Sequence, residues 1–196
     1  MSEVRTAKVE RRTNETSIVV ELTIDGRGES TVATGIGFLD HLLGTLAKHA
    51  GFDLALRCDG DLEIDDHHTA EDCALALGQA LDAALGERRG IARFGSAYAP
   101  LDEALARAVV DLSGRPFARV ELGLAREMLG QLACENVGHV LRSLAIASRT
   151  TLHVDLLIGD NDHHCAEAAF KSVALALRQA VGRREGASVP STKGVL

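Results

Sequence analysis

Two short segments carry the residues best suited to chemistry: Asp66-His67-His68-Thr69-Ala70-Glu71 and Asp162-His163-His164-Cys165-Ala166-Glu167. Each opens an Ala/Leu-rich stretch that reads as a helix, and residues four apart on a helix share a face. His67 and Glu71 therefore form a pincer able to grip one divalent ion, and His163 with Glu167 forms a second. A helix turns by about 100° per residue, so His68 and His164 face elsewhere and suit a different ion. Imidazole and carboxylate together favour Mn, Fe, Co, Ni or Zn. Because His68 follows His67 and Asp72 follows Glu71, the pattern matches neither of the common zinc-peptidase helices.

The elements that must position these pincers are themselves repeated. His41-Leu-Leu-Gly-Thr-Leu-Ala47 aligns with His139-Val-Leu-Arg-Ser-Leu-Ala145, both with apolar residues at helical spacing. Each is followed by a strand-like run, Phe52 to Cys58 and Thr150 to Ile158, and then by an acidic, Gly-containing loop into the pincer helix. Upstream, the stretches ending at Asp25-Gly26 and Ser113-Gly114 read as strands closed by hairpin turns. The chain is thus expected to be α+β and internally duplicated, each half a mainly antiparallel four-stranded sheet with two helices on one face. The halves, residues 1–90 and 91–196, are expected to pack helix face to helix face as one compact domain. Charge and glycine from Glu87 to Gly90 mark the junction, and the tail from Arg183 to Leu196 reads as extended.

Aligning the halves places six of the eight histidines in three matched pairs, and His49 and His153 stay without partners. One site could combine His67 and Glu71 with His164 and one of His41 or His139; the other would take His163, Glu167, His68 and the remaining histidine. Three histidines and one glutamate leave open positions on an octahedral ion, which points to catalysis rather than structure. Cys165 lies beside His164, but the helical period favours Glu167 as the ligand.

Composition narrows the partners. A net charge of −7, with five Phe, one Tyr and no Trp, argues against nucleic-acid binding. No apolar run approaches the length of a membrane span and no secretory leader is visible, so no membrane contact is expected. Four cysteines without a C-x-x-C pair suit reduced thiols and a cytoplasmic setting. Gly35-Ile-Gly37 lacks the third glycine of a dinucleotide fingerprint.

Ile64 to Glu71 and Gly159 to Lys171 resemble the two signatures of imidazoleglycerol-phosphate dehydratase, a family of histidine biosynthesis. Phe38-Leu-Asp-His41, Arg93-Phe-Gly95, Ser113-Gly-Arg-Pro116, Thr151-Leu-His153 and Pro190-Ser-Thr-Lys-Gly-Val-Leu196 are similar to further family segments, so the resemblance spans essentially the whole chain. No phosphatase segment accompanies it, as in the family's monofunctional form. The resemblance implies a ribosomal protein S5 domain 2-like fold and dehydration of imidazole glycerol phosphate to imidazole acetol phosphate. It implies two Mn2+ ions per site and a 24-subunit shell built from trimers, with sites at subunit interfaces.

The implied metal ligands are His41, His67, His68, Glu71, His139, His163, His164 and Glu167. His41, Glu71 and Glu167 thereby join Glu15, the implied acid/base, as catalytic candidates. Arg93, Arg115, Lys171, Ser191 and Lys193, with Glu15, are the implied contacts to the substrate and its phosphate. Two metals suit this reaction, because the proton to be lost has no adjacent carbonyl. Ions on both imidazole nitrogens would stabilise an imidazolate, whose electrons expel the neighbouring hydroxyl to give a diazafulvene. The chain departs from the family at Thr45 (usually Gln), Gly37 (often Pro), Val140-Leu141 (Phe-Phe) and Leu175 (commonly Arg). A dinuclear hydrolase and a metal-storing shell are the alternative readings. The tail and the Arg93 segment speak against the first, the open positions and phosphate contacts against the second.

Overall fold

The computed structural model describes residues 4–184, 186 and 188–192. The first half runs β1 (Thr6–Arg12), β2 (Thr16–Thr23), β3 (Ser30–Ala33), α1 (Gly37–Ala50), β4 (Asp53–Gly60) and α2 (His67–Leu85). The second repeats this as β5 (Phe94–Leu101), β6 (Ala104–Asp111), β7 (Phe117–Glu121), α3 (Cys134–Ala147), β10 (Thr151–Ile158) and α4 (Asp162–Ala180). A small hairpin, β8 (Met128–Leu129) with β9 (Leu132–Ala133), is added before α3 and has no counterpart in the first half.

Alternation sets the buried face of each strand. Along β2, Ile18, Val20 and Leu22 point inward; along β6, Ala104, Ala106, Ala108 and Val110 do the same. The sheets have the orders β1-β2-β4-β3 and β5-β6-β10-β7, each antiparallel except for its last pair. Between them the helices make the middle layer, α1 against α4 and α2 against α3. One continuous apolar core joins both sheets through this layer. The expected α+β duplication with helix-to-helix packing is therefore what the chain adopts. No helix among the described residues is long and apolar enough to cross a membrane.

The hairpin assignments need correction. After Asp25-Gly26 the chain does not fold back on β2 but crosses to β3, which lies beyond β4. Ser113-Gly114 likewise leads to β7, beyond β10. A turn signal marks a change of direction and says nothing about which strand will be the neighbour. Gly26 is needed for another reason: an added Cβ there would collide with Asp53, whose Oδ1 accepts hydrogen bonds from the amides of Arg27 at 2.7 Å and Glu29 at 3.0 Å. In the two four-stranded sheets the hairpin tips are the turn between Arg12 and Thr16 and the Asp102-Glu103 turn, which join β1 to β2 and β5 to β6.

Between the halves, Arg88 is buried at 2% exposure and donates to the carbonyls of Ser148 and Arg149 and to Asp82. The helices approach closely at Gly78 of α2. A Cβ there would lie 2.6 Å from Ala147 Cβ and 2.7 Å from the Leu144 carbonyl oxygen of α3. Gly78→Ala should therefore destabilise the fold by about 1–3 kcal/mol through overpacking. The roughly 1 kcal/mol gain in helix propensity does not offset this, and urea unfolding will read the difference.

Candidate metal centre

The start of each pincer helix is fixed by an acceptor two residues before its first histidine. Asp65 Oδ1 accepts from the His67 amide at 2.8 Å, and Asn161 Oδ1 accepts from the His163 amide at 3.0 Å. Pairing α2 with α3 then brings His139 to the first pincer: its Nε2 lies 3.1 Å from Glu71 Oε1, and His67 Nε2 lies 3.8 Å from Glu71 Oε2. Pairing α1 with α4 brings His41 to the second, 2.9 Å from Glu167 Oε2, with His163 Nε2 at 3.4 Å from the same oxygen. In each trio the potential ligand atoms lie within 4.8 Å of one another. The fold thus decides what spacing left open: each half lends its first-helix histidine to the other half's pincer.

The expected placing of His164 with His67, and of His68 with His163, does not occur within one chain. Both histidines follow the pincer by one residue, and the helical turn aims them away from the helix interface toward the hairpin tips. His68 Nδ1 is 3.0 Å from Asp61 Oδ2, and its Nε2 is 3.7 Å from Glu15 Oε1. His164 Nδ1 is 2.7 Å from Glu103 Oε2, and its Nε2 is 3.9 Å from Asp102 Oδ2. The hydrogen bond to Asp61 raises the pKa of His68, and the one to Glu103 raises that of His164. Glu103 in turn is held down at about 2 by His164 and the Asn161 amide.

Glu15 stands at the tip of the β1–β2 hairpin. Next to it, the Thr16 hydroxyl donates to buried Asp72 at 2.6 Å, and Asp72 also pairs with Arg11 at 2.5 Å. This ties the Glu15 tip to the residue beside Glu71.

The expected phosphate contacts fall into two groups. Lys171 Nζ is 2.7 Å from Glu167 Oε1, beside the second trio. Arg93 grips Asp111 through both carboxylate oxygens, at 2.7 and 3.0 Å, and its Nη1 donates to the Pro190 carbonyl at 2.7 Å, next to Ser191. Arg115 is exposed and approaches Asp111 at 3.9 Å. The Arg93 amide bonds to the Ala180 carbonyl at the far end of α4, which at 1.5 Å per residue is roughly 25 Å from His163. Within one chain, Arg93 and the second trio are therefore not one pocket. Lys193 lies outside the described residues.

Several residues escaped sequence reading. Asn136 and Phe38 stand three residues before His139 and His41, in register, and touch His67 and His163 respectively. Aligning the repeat one turn further back would have found both. Asp61 and Glu103 lay in acidic loops with no period to single them out. Cys165 is 1% exposed and belongs to neither trio. Thr45 lies one turn after His41 on α1. An open cleft of about 660 Å³, lined by Arg126, Glu127, Glu135 and Arg142 among others, contains none of the candidate ligands.

Comparisons with known proteins converge. A family model described as imidazoleglycerol-phosphate dehydratase matches residues 34–177. The chain is 60% identical to the so-named protein of Phytophthora nicotianae over 195 residues, covering 100% of this chain and 43% of that longer protein. It is 56% identical to that of Phaffia rhodozyma, covering 98% of this chain and 97% of the relative. For Saccharomyces cerevisiae the identity is 53%, with 97% of each covered. The imidazoleglycerol-phosphate dehydratase structure from Staphylococcus aureus superposes with a TM-score of 0.82 at 35% identity, covering 91% of this chain and 99% of the other. The Pyrococcus furiosus enzyme in complex with (S)-C348 gives 0.83 at 37%, covering 96% and 100%.

Burial pushes the Glu167 carboxyl up, but Lys171 and His41 outweigh it and bring it to about 2 from an ordinary 4.5. A lowered carboxylate pKa contributes stability that is present above the ordinary value and lost as pH falls through the folded one. Metal-free Glu167→Gln should accordingly be less stable than the parent at neutral pH, on the order of 1–3 kcal/mol. That gap should close as pH falls from about 4.5 to 2, as followed by urea unfolding across a pH series.

Proposed function

Because the chain belongs to the imidazoleglycerol-phosphate dehydratase family, a family of hydro-lyases, we propose that it converts D-erythro-imidazole glycerol phosphate to imidazole acetol phosphate in histidine biosynthesis. The observation that carries this reading is the pair of matched donor trios, His67–Glu71–His139 and His41–His163–Glu167, with His68 and His164 turned outward.

The donor set fits two divalent ions. Each trio supplies imidazole nitrogen and carboxylate oxygen, the mixture that Mn2+ accepts. His139 Nε2 is buried and has no hydrogen-bond partner among the described residues, although Glu71 lies 3.1 Å away. That nitrogen is out of line for a hydrogen bond and suits a lone pair converging with the carboxylate on a shared ion. Three donors are too few for a closed site, and the two outward histidines are the natural completion of a neighbouring chain's trios. The roughly 25 Å along α4 between the second trio and Arg93 supports the same arrangement. It would let one subunit's Arg93, Arg115, Ser191 and Lys193 hold the phosphate over a metal pair to which other subunits contribute. A homo-oligomer follows, read with the family as a 24-mer of trimers, acting on a soluble substrate in the cytoplasm without nucleic acid or membrane.

Bound ions would supply Lewis-acid stabilisation of negative charge on the substrate ring. The chain's own residues do the rest. His67 and Glu71, four residues apart, set one metal position, and His163 and Glu167 the other; His139 and His41 close them from the facing helices. Asp61 and Glu103 accept from the Nδ1 atoms of His68 and His164, leaving Nε2 free to act as the ligand. Glu15, exposed at its hairpin tip 3.7 Å from His68 Nε2, reaches the same locus. There it can take the proton from the substrate carbon once hydroxide has left the neighbouring one. Lys171 and the arginines bind the phosphate through charge-assisted hydrogen bonds.

Mn-loaded protein incubated with imidazole glycerol phosphate should form the keto product; release of inorganic phosphate instead would replace this reading with a hydrolase. Glu15→Gln should lose about 100-fold or more in kcat with metal content and assembly intact, and unchanged turnover would remove Glu15 from the mechanism. Glu71→Ala and Glu167→Ala should each lose metal and native assembly together, by elemental analysis and light scattering.

A further inference from the structure

The duplication makes the two trios equivalent in ligands, yet their surroundings differ at registered positions, two of which touch the donors themselves. The first difference lies behind the pincer histidines. His67 Nδ1 is 3.0 Å from Asn136 Oδ1, and Asn136 is 2% exposed. The Asn136 amide nitrogen donates to Asp66 Oδ2 at 3.0 Å, and the Ala133 amide donates to the same oxygen at 2.6 Å. With its nitrogen committed to a carboxylate, Asn136 can only turn its carbonyl oxygen to the imidazole. His67 must then carry its proton on Nδ1 and offer the Nε2 lone pair to the trio. In the other trio Phe38 takes the place of Asn136, its ring centroid 5.0 Å from that of His163. Phe38 offers no acceptor, and among the described residues nothing hydrogen-bonds His163 Nδ1 to fix its tautomer.

The second difference lies beside the glutamates. Glu167 Oε1 holds Lys171 Nζ at 2.7 Å, one helical turn on, with both side chains largely buried. The corresponding position after Glu71 is Leu75, and among the described residues the ion-pair partners of Glu71 are His67 and His139. An ion entering the first trio meets a free carboxylate and a preset imidazole. An ion entering the second binds through Oε2 a carboxylate whose Oε1 is already neutralised by an ammonium, and it must select the His163 tautomer as it binds.

We propose that the two trios load in order: His67–Glu71–His139 binds its ion first and more tightly, and His41–His163–Glu167 binds second. We further infer that phosphate tightens the second site by giving Lys171 another anion. Coupling of this kind is reciprocal, so occupancy of the second site must strengthen phosphate binding by the same factor. This rests on the dinuclear reading above and on Lys171 as a phosphate contact.

The test is a Mn2+ titration of metal-stripped, full-length protein, with free ion read by electron paramagnetic resonance, with and without inorganic phosphate. Two classes of one ion per chain should appear, separated by about tenfold or more, with phosphate tightening only the weaker. Asn136→Ala should weaken the tight class by roughly 10–100-fold and leave the other in place. Lys171→Met should tighten the weak class severalfold and abolish its response to phosphate. If Asn136→Ala loses the native circular dichroism spectrum, Phe38→Asn asks the same question from the other side and should tighten the weak class. A single class of two equal ions, or Asn136→Ala and Lys171→Met acting on the same class, would overturn the ordered loading. Absence of stoichiometric Mn2+ binding would instead overturn the dinuclear reading beneath it.

Discussion

Everything at the candidate centre hangs on the contact between helices of opposite halves. Neither pincer is complete on its own helix: His67–Glu71 needs His139 from α3, and His163–Glu167 needs His41 from α1. The α2–α3 contact that supplies His139 closes over a small residue, Gly78, whose added Cβ would meet Ala147 and the Leu144 carbonyl. Small side chains let helix axes approach closely, and close approach brings two imidazoles and a carboxylate onto one point.

Around that contact the sheets act as arms. The hairpins β1–β2 and β5–β6 end beside the histidines that face outward, the first tip bringing Glu15, joined there by Asp61 from just past the end of β4, and the second bringing Asp102 and Glu103. Glu15 and Asp61 meet His68, and Asp102 and Glu103 meet His164. The first tip is locked to its helix by a buried acid, Asp72 with Arg11 and Thr16, where the second half has Ala168. Removing Arg11 would leave the buried Asp72 carboxylate without its cation, at a cost of about 3 kcal/mol. A duplicated fold has thus been made unequal at several of its repeated positions: Asn136 against Phe38, Leu75 against Lys171, and Asp72 against Ala168.

Much of this was legible from residue order because the relevant periods are local. Helical spacing made pincers of His67–Glu71 and His163–Glu167, and internal alignment exposed the duplication, the helix-facing halves and the extra histidines His41 and His139. Sequence reading went astray wherever a partner is remote. Asp25-Gly26 and Ser113-Gly114 looked like hairpin turns, but β4 and β10, formed later in the chain, take the places beside β2 and β6. The spacing turns His68 and His164 away from the pincers, and the fold sets them beside Asp61 and Glu103 instead of beside the opposite pincer of the same chain.

Residue order by itself determined which side chains can act as metal donors, that they come in two matched sets, and that the set resembles one enzyme family over its length. Tertiary structure alone decided that the sets are completed crosswise and that His68 and His164 stand apart. It also decided that Asn136 stands against one pincer imidazole while Lys171 pairs with one oxygen of the other pincer's carboxylate. The reason is physical: i to i+4 geometry is written into the backbone of each helix. Which helix faces which, and what a neighbouring amide or ammonium does to a ligand, depends on packing between segments that share no local period.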